Sequence, residues 1–276
     1  MKNILIPMND SEGLPSMLAT AELVADAFAS YIEGLRVRID SSAVLAADDL
    51  GAASPALLEN FEREEAERSK RVRQVFDDFV RRRLEEAPGA DAPRWVQITS
   101  PRGDIGSYGR AFDLVVVGRP TRSRESPAMG TLEAALFESG RPILIAPPAP
   151  PSMLGRNVVI AWNASTETAR TIALGMPFLL RAERVTILTI EGGTVPGPSG
   201  EEVVRSLYRH GIEATATTVS AGRRLIGEAI LAESEAIGAD LLLKGGYTQS
   251  RLRQMIFGGA TSYILAEATL PVLMAH

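Results

Sequence analysis

The chain of 276 residues predicts an α/β protein built from two open parallel sheets, flavodoxin-like or Rossmann-like, one per domain. Three observations predict it. Short continuous apolar runs alternate with stretches of helical length, as strands covered by helices on both faces do. The same series of runs occurs twice. Between the two series lies Ala146-Pro147-Pro148-Ala149-Pro150-Pro151-Ser152, where proline excludes helix and removes ladder donors, leaving an extended linker. The expected division is a first domain over 1–146, a linker over 147–155 and a second domain over 156–276.

Three matches in the same order carry the duplication. Asn3-Ile4-Leu5-Ile6-Pro7-Met8-Asn9 answers to Asn157-Val158-Val159-Ile160-Ala161-Trp162-Asn163. Asp113-Leu114-Val115-Val116-Val117-Gly118 answers to Asp240-Leu241-Leu242-Leu243-Lys244-Gly245, and Arg141-Pro142-Ile143-Leu144-Ile145-Ala146 to Leu270-Pro271-Val272-Leu273-Met274-Ala275. The separation between copies falls from 154 residues at the first match to 127 at the second, so the first half carries extra chain in between.

In the first half the opening strand is 3–7, and the extra chain forms a helix over about 54–87. Within it Val72, Val75, Phe76, Phe79 and Val80 fall on one apolar face, and Pro88-Gly89 ends it. Residues 102–108 leave little room for a further helix before the strand at Leu114. In the second half strands are expected near 157–162, 184–190, 213–219, 240–245 and 271–275, with helices near 166–181, 200–210, 223–238 and 258–268. Trp95 and Trp162 flank or sit within strands and read as core or sheet-face residues.

Composition excludes several functions. Residues 1–148 carry 18 Lys and Arg against 23 Asp and Glu, and 149–276 carry 11 of each, so neither half has the basic excess of a nucleic-acid binder. The chain has no cysteine, which excludes disulfides and thiolate metal sites, and its two histidines cannot build a multi-histidine centre. The first residues read as a strand and not as a secretory leader, and no apolar run is long enough to span a bilayer. A cytoplasmic protein is expected.

The segment that carries chemistry runs from Gly245 to Thr261. An apolar strand enters Gly245-Gly246, a polar loop follows, and Gly258-Gly259-Ala260-Thr261 opens a helix. Glycine lets backbone N–H groups approach a ligand, and a helix amino terminus adds unpaired donors and partial positive charge, so the segment reads as an anion cradle. In open sheets of this kind ligands bind beyond the carboxyl ends of strands, where the chain places Asn163 and Gly245. A structural reading stands beside this one: the glycines are then a strand exit and a helix cap, and Asn163 and Ser165 cap the next helix.

In these residues the chain resembles the universal stress protein family in its tandem two-domain form. The resemblance is strongest over 157–182 and 238–276, where Ser250-Arg251-Leu252-Arg253-Gln254 is typical of one bacterial branch. It implies strand order 3-2-1-4-5 in each sheet. It also implies an ATP motif Gly-x2-Gly-x9-Gly followed by Ser or Thr, and an acid at the end of strand one beside the adenosine. Gly245 and Gly258 match the first and third glycines; Thr248 stands for the second, Gly259 for the hydroxyl residue, and Asn163 (Asn9 in the first half) for the acid. In the first half Gly118 is kept, Pro120 intrudes, and Gly130-Thr131 resembles a helix start, so that half is read as a non-binder.

The implied function is a stress-response regulatory module binding ATP or AMP in the second half only, with magnesium only alongside ATP. The expected site comprises Ala161, Asn163 and Ser165 on the adenosine side and Gly245, Thr248, Gly258, Gly259, Ala260 and Thr261 on the phosphate side. Ser250 joins them, as does Arg251, since of Arg251 and Arg253 one at most reaches a phosphate. No residue is placed as a general base, so turnover is not expected, although slow ATP hydrolysis is implied for some members. Family domains pair through their fifth strands, which implies an intramolecular pseudo-dimer of 141–146 against 271–275 and leaves a homodimer open. The alternative is a ligand-free interaction scaffold using that pseudo-dimer and the 54–87 helix. An enzyme of the related adenine-nucleotide α-hydrolase group ranks below both, because the phosphate loop it needs is missing.

Overall fold

The computed structural model describes residues 1–39, 55–100, 105–120, 127–246 and 259–276. In the first half the order is β1 (Asn3–Pro7), α1 (Leu14–Phe28), β2 (Tyr31–Ile39), α2 (Pro55–Glu86), β3 (Arg94–Ser100), α3 (Ile105–Gly109), β4 (Leu114–Gly118), α4 (Pro127–Glu138) and β5 (Ile143–Ala146). The second half follows with β6 (Asn157–Ala161), α5 (Thr166–Leu179), β7 (Arg184–Glu191), α6 (Gly200–Tyr208), β8 (Ala214–Ser220), α7 (Ile226–Ile237), β9 (Leu241–Gly245), α8 (Ala260–Glu267) and β10 (Val272–Ala275).

The α/β class and the order 3-2-1-4-5 hold in each half, but there is one sheet and not two. Its strands run β3-β2-β1-β4-β5-β10-β9-β6-β7-β8, with every neighbour parallel except at the centre. There β5 and β10 pair antiparallel, Ile145 with Val272, Leu144 with Leu273 and Ile143 with Met274. These residues are fully or almost fully buried, so the seam is as dry as the rest of the sheet. Two strands that each present an unpaired edge gain ladder bonds by meeting, which merges the two expected sheets.

Alternate side chains along each strand feed two apolar layers, one per face. Ile4, Ile6, Leu144, Val158, Ile160, Leu241 and Leu273 lie in one layer; Leu5, Val115, Ile143, Val159, Leu242 and Met274 lie in the other. Both layers therefore cross the seam. Phe28 of α1 meets Phe178 of α5 edge-on at 5.2 Å, and Arg119 Nη1 donates to the Ala268 carbonyl at 2.9 Å, so the halves also touch away from the strands.

The long helix departs from its expected face in one place. Val72, Phe76 and Phe79 are buried, but Val75 is exposed. Phe76 enters above β2 at Gly34, where an added Cβ would lie 2.7 Å from its ring. Further along, Arg36 pairs with Glu65 and donates to the Met8 carbonyl at 3.1 Å, a buried polar contact with no apolar signature in the sequence. Trp95 packs against Phe76 at 5.5 Å, while Trp162 is buried and donates to the Pro198 carbonyl at 2.9 Å.

Residues 105–109 form a helix where little room was expected. Tyr108 anchors it, its hydroxyl donating to buried Glu33 at 2.6 Å and its ring stacking on Phe112 at 5.8 Å. Burial and the Glu33 carboxylate push the Tyr108 phenol up to about 12. Among the described residues no helix is long and apolar enough to cross a membrane.

Candidate functional site

The carboxyl ends of β6 and β9 and the amino terminus of α8 meet at one edge of the second half. After β6 the chain turns at Ala164, which takes a positive φ of 63°, and enters α5 with Ser165 as its N-cap. The Ser165 hydroxyl accepts from the Thr168 N–H at 3.2 Å, satisfying one of the donors a helix start leaves unpaired. Asn163 Oδ1 accepts from the Ser165 N–H at 3.2 Å and from the Thr168 hydroxyl at 2.6 Å. A backbone N–H can only donate, so this pair fixes the oxygen of the Asn163 amide inward.

Gly245 closes on the same spot. A Cβ there would stand 2.5 Å from the Thr168 nitrogen and 2.7 Å from its hydroxyl oxygen. Glycine at the strand exit is therefore required by close approach of β9 to α5. Asn163, Ser165 and Gly245, expected around a ligand, converge on Thr168. The sequence signal for Thr168 is its place three residues after the N-cap, where a helix-start donor is found. Ala161 is buried within β6 in the core layer.

The phosphate side is organised by Lys244, which in the sequence is no more than the end of an apolar run. Lys244 is 7% exposed, and its ammonium donates to the Gly245 carbonyl at 3.0 Å and to the Thr261 hydroxyl at 3.0 Å. Burial pulls its pKa down to about 8, opposed by the carboxylate of Glu167. Glu167 Oε2 is itself buried without a hydrogen-bond partner among the described residues. Thr171 ties the same strand end to α5 and β10: it donates to the Glu167 carbonyl at 2.8 Å and lies 3.4 Å from the Lys244 carbonyl, while the Ala275 N–H donates to it at 3.1 Å.

Above Lys244, α8 begins without a cap. Gly259 is its N-cap; it is extended, at φ 176°, and a Cβ added to it would meet nothing within 4 Å among the described residues. Among the described residues no side chain caps the first turn at Ala260 and Thr261, an arrangement that suits an anion. Thr248, Ser250, Arg251 and Gly258 lie outside the described residues, as does Arg253. Among the described residues no three His, Asp or Glu side chains are grouped to hold a metal ion.

The first-half counterpart is arranged differently. Asn9 Nδ2 donates to the Thr131 hydroxyl at 3.0 Å, so a side chain spans from the end of β1 to the start of α4. At the opposite edge the two halves agree. Asp113 Oδ2 accepts from the N–H groups of Lys2 and Asn3 at 2.6 and 3.1 Å; Asp240 accepts from those of Gly155, Arg156 and Asn157 at 2.8, 3.1 and 3.1 Å. Each holds the backbone leading into its half's first strand, away from the cleft.

Comparison with known proteins gives the fold a context. Residues 193–276 match the Universal stress protein family. A universal stress protein from Archaeoglobus fulgidus DSM 4304 has a similar structure, with a TM-score of 0.67 over 99% of this chain and 97% of that one, at 16% identity. A Pseudomonas aeruginosa UCBPP-PA14 structure assigned to the same proteins gives a TM-score of 0.54 over 100% of this chain and 93% of that one, also at 16% identity. At such identities the structural likeness speaks for the fold, and the sequence match rests on the C-terminal segment. No curated protein matches the sequence.

Proposed function

We propose that this chain, which carries universal stress protein sequence over residues 193–276 and that family's fold along its length, is a regulatory module that binds an adenine nucleotide in its second half. One observation carries the reading: the amino terminus of α8, which no side chain caps among the described residues, sits at the carboxyl ends of β6 and β9 with its first turn bonded to the buried ammonium of Lys244 through Thr261. A cation and a set of free helix N–H groups at one strand edge suit a phosphate. Ala260, Thr261 and Gly259 would hold it through backbone donors. Asn163, its oxygen occupied, would offer its amide N–H2 to a ring nitrogen of the base. ATP or AMP supplies the phosphate. Magnesium would enter only with ATP, since among the described residues the protein brings no cluster of carboxylates of its own.

The experiment is equilibrium binding of labelled ATP and AMP to the folded chain. One nucleotide bound per chain is expected, because Asn9 and Thr131 bridge the first-half cleft. Absence of binding at millimolar nucleotide would rule the reading out.

A second reading is favoured by the internal bonding of Asn163, Ser165, Gly245 and Thr261, all of which have structural partners without a ligand. On it, the protein is an interaction scaffold and the exposed face of α2, laced with Arg73–Asp77 and Arg82–Glu86 pairs, meets a partner protein. Thr248→Gly separates the two: gain of nucleotide affinity supports the first, while no change, together with loss of a partner on truncating α2, supports the second.

A further inference from the structure

Lys244 is a buried ammonium with no ion pair among the described residues, offset only at a distance by the carboxylate of Glu167. Its ammonium has three donors, and two of them reach neutral acceptors, the Gly245 carbonyl and the Thr261 hydroxyl. Among the described residues no carboxylate lies within ion-pair distance of it, whereas Arg36, the other deeply buried cation of a strand, is paired with Glu65. β6 and β10, the strands on either side, bring no charged side chain. From α5, Glu167 acts on it electrostatically, and Arg170 is exposed. On α8, Tyr263 follows Thr261 and Glu267 stands at the far end; on α7, which packs against α8 through Gly227, Glu228 is engaged with the Leu225 N–H at 3.3 Å. His276 sits beyond, against the Gly246 carbonyl at 3.3 Å. An unpaired buried ammonium is costly unless something anionic compensates it.

We propose that Lys244 is a proton-linked charge partner for the phosphate of the bound nucleotide, so that anion binding at the α8 amino terminus and protonation of Lys244 reinforce each other. The inference rests on the nucleotide-binding reading and goes beyond it by naming how the site is regulated. Geometry supplies the coupling: the Lys244 ammonium holds Thr261, and Thr261 is in the first turn of the helix that receives the anion. In the free protein burial brings the lysine down to about 8, within reach of ordinary pH changes. A phosphate overhead restores the charged form, because an opposite charge favours ionisation. By linkage the affinity must then fall as pH rises through the free protein's value.

The test is isothermal titration of ATP into the full chain from about pH 7.5 to about pH 9, a range in which phosphate groups are already ionised and contribute no proton of their own. The expected result is an affinity about tenfold weaker at the upper pH, with uptake of about half a proton per nucleotide near pH 8 in buffers of different ionisation enthalpy. Lys244→Met should bind more weakly at the lower pH and show a flat profile. An identical pH profile in Lys244→Met, or no proton uptake by the wild-type chain, overturns the inference and leaves nucleotide binding standing. If the wild-type chain binds no ATP at any pH, both fall. Proton uptake is measured on the unmodified protein, so the result does not depend on the variant folding.

Discussion

Gly245 and Thr168 are packed backbone to backbone: the Thr168 nitrogen occupies space only 2.5 Å from where a Cβ on Gly245 would sit. The glycine that marks the strand exit as a ligand loop is needed by the fold itself. Gly245→Ala should therefore destabilise the protein by roughly 1–3 kcal/mol with no nucleotide present, because the clash is with backbone and not with a flexible side chain end. Urea denaturation of the two chains checks this; equal midpoints and slopes would show that the gap at Thr168 can open freely.

Lys244 should leave a mark on stability as well as on binding. Its folded pKa, about 8, lies below the 10.5 of an ordinary lysine, so the unfolded chain holds more protons between those values. The contribution of Lys244 is thus least favourable below about pH 8 and improves as pH rises to about 10.5. The stability of Lys244→Met relative to wild type should be greatest near neutrality and shrink by up to about 3 kcal/mol across that window. Denaturant titrations at several pH values measure it, and a difference independent of pH would show that the lysine is not desolvated.

Asp240 holds three backbone N–H groups and Asp113 two, each at the start of its half. Asp240→Ala should cost about 1–3 kcal/mol, the penalty of leaving such donors without their charged acceptor. Asp113 adds an acid sensitivity. Hydrogen bonds from Lys2 and Asn3 depress its pKa below 3.8, so its contribution is complete above that value and is lost as pH falls through the folded one. Relative to Asp113→Asn, the wild-type advantage should disappear in acid, as thermal denaturation between about pH 6 and pH 2 would record.

Ser165→Ala should lower stability by about 1 kcal/mol through loss of the α5 cap. It should also loosen Asn163, whose oxygen shares Thr168 with Ser165. Faster amide exchange at Thr168 is the specific readout, and an unchanged rate would separate the cap from the network.

The second half was legible nearly element by element, because strands such as Leu241–Gly245 and Asn157–Ala161 are unbroken apolar runs bounded by turn residues. The seam was harder to read as a single sheet: apolar periodicity marks a strand as buried but does not say whether its neighbour belongs to the same sheet or another. The helix at Ile105–Gly109 escaped for a related reason, since a contact between Tyr108 and Glu33 across 75 residues supports it. Position and spacing singled out Asn163, Ser165 and Gly245, which the structure brings together around Thr168. Lys244 was hidden because, after Leu241-Leu242-Leu243 and just before Gly245, it reads as a polar residue at the fraying end of a strand. Only its bond to Thr261, 17 residues on, reveals that it points under the next helix.

The antiparallel step between β5 and β10 reverses the sense of every strand on either side of it. The carboxyl ends of the first-half strands therefore face one end of the molecule, and those of the second half face the other. A ligand over α8 cannot touch the Asn9–Thr131 end, although α4 of the first half does reach the second half's strand exits from the side, with Leu136 against Gly246 and Phe137 edge-on to His276 at 4.7 Å. What joins the two poles is one continuous packed body: the common sheet, the two apolar layers that cross its seam, and the Phe28–Phe178 and Arg119–Ala268 contacts beside it.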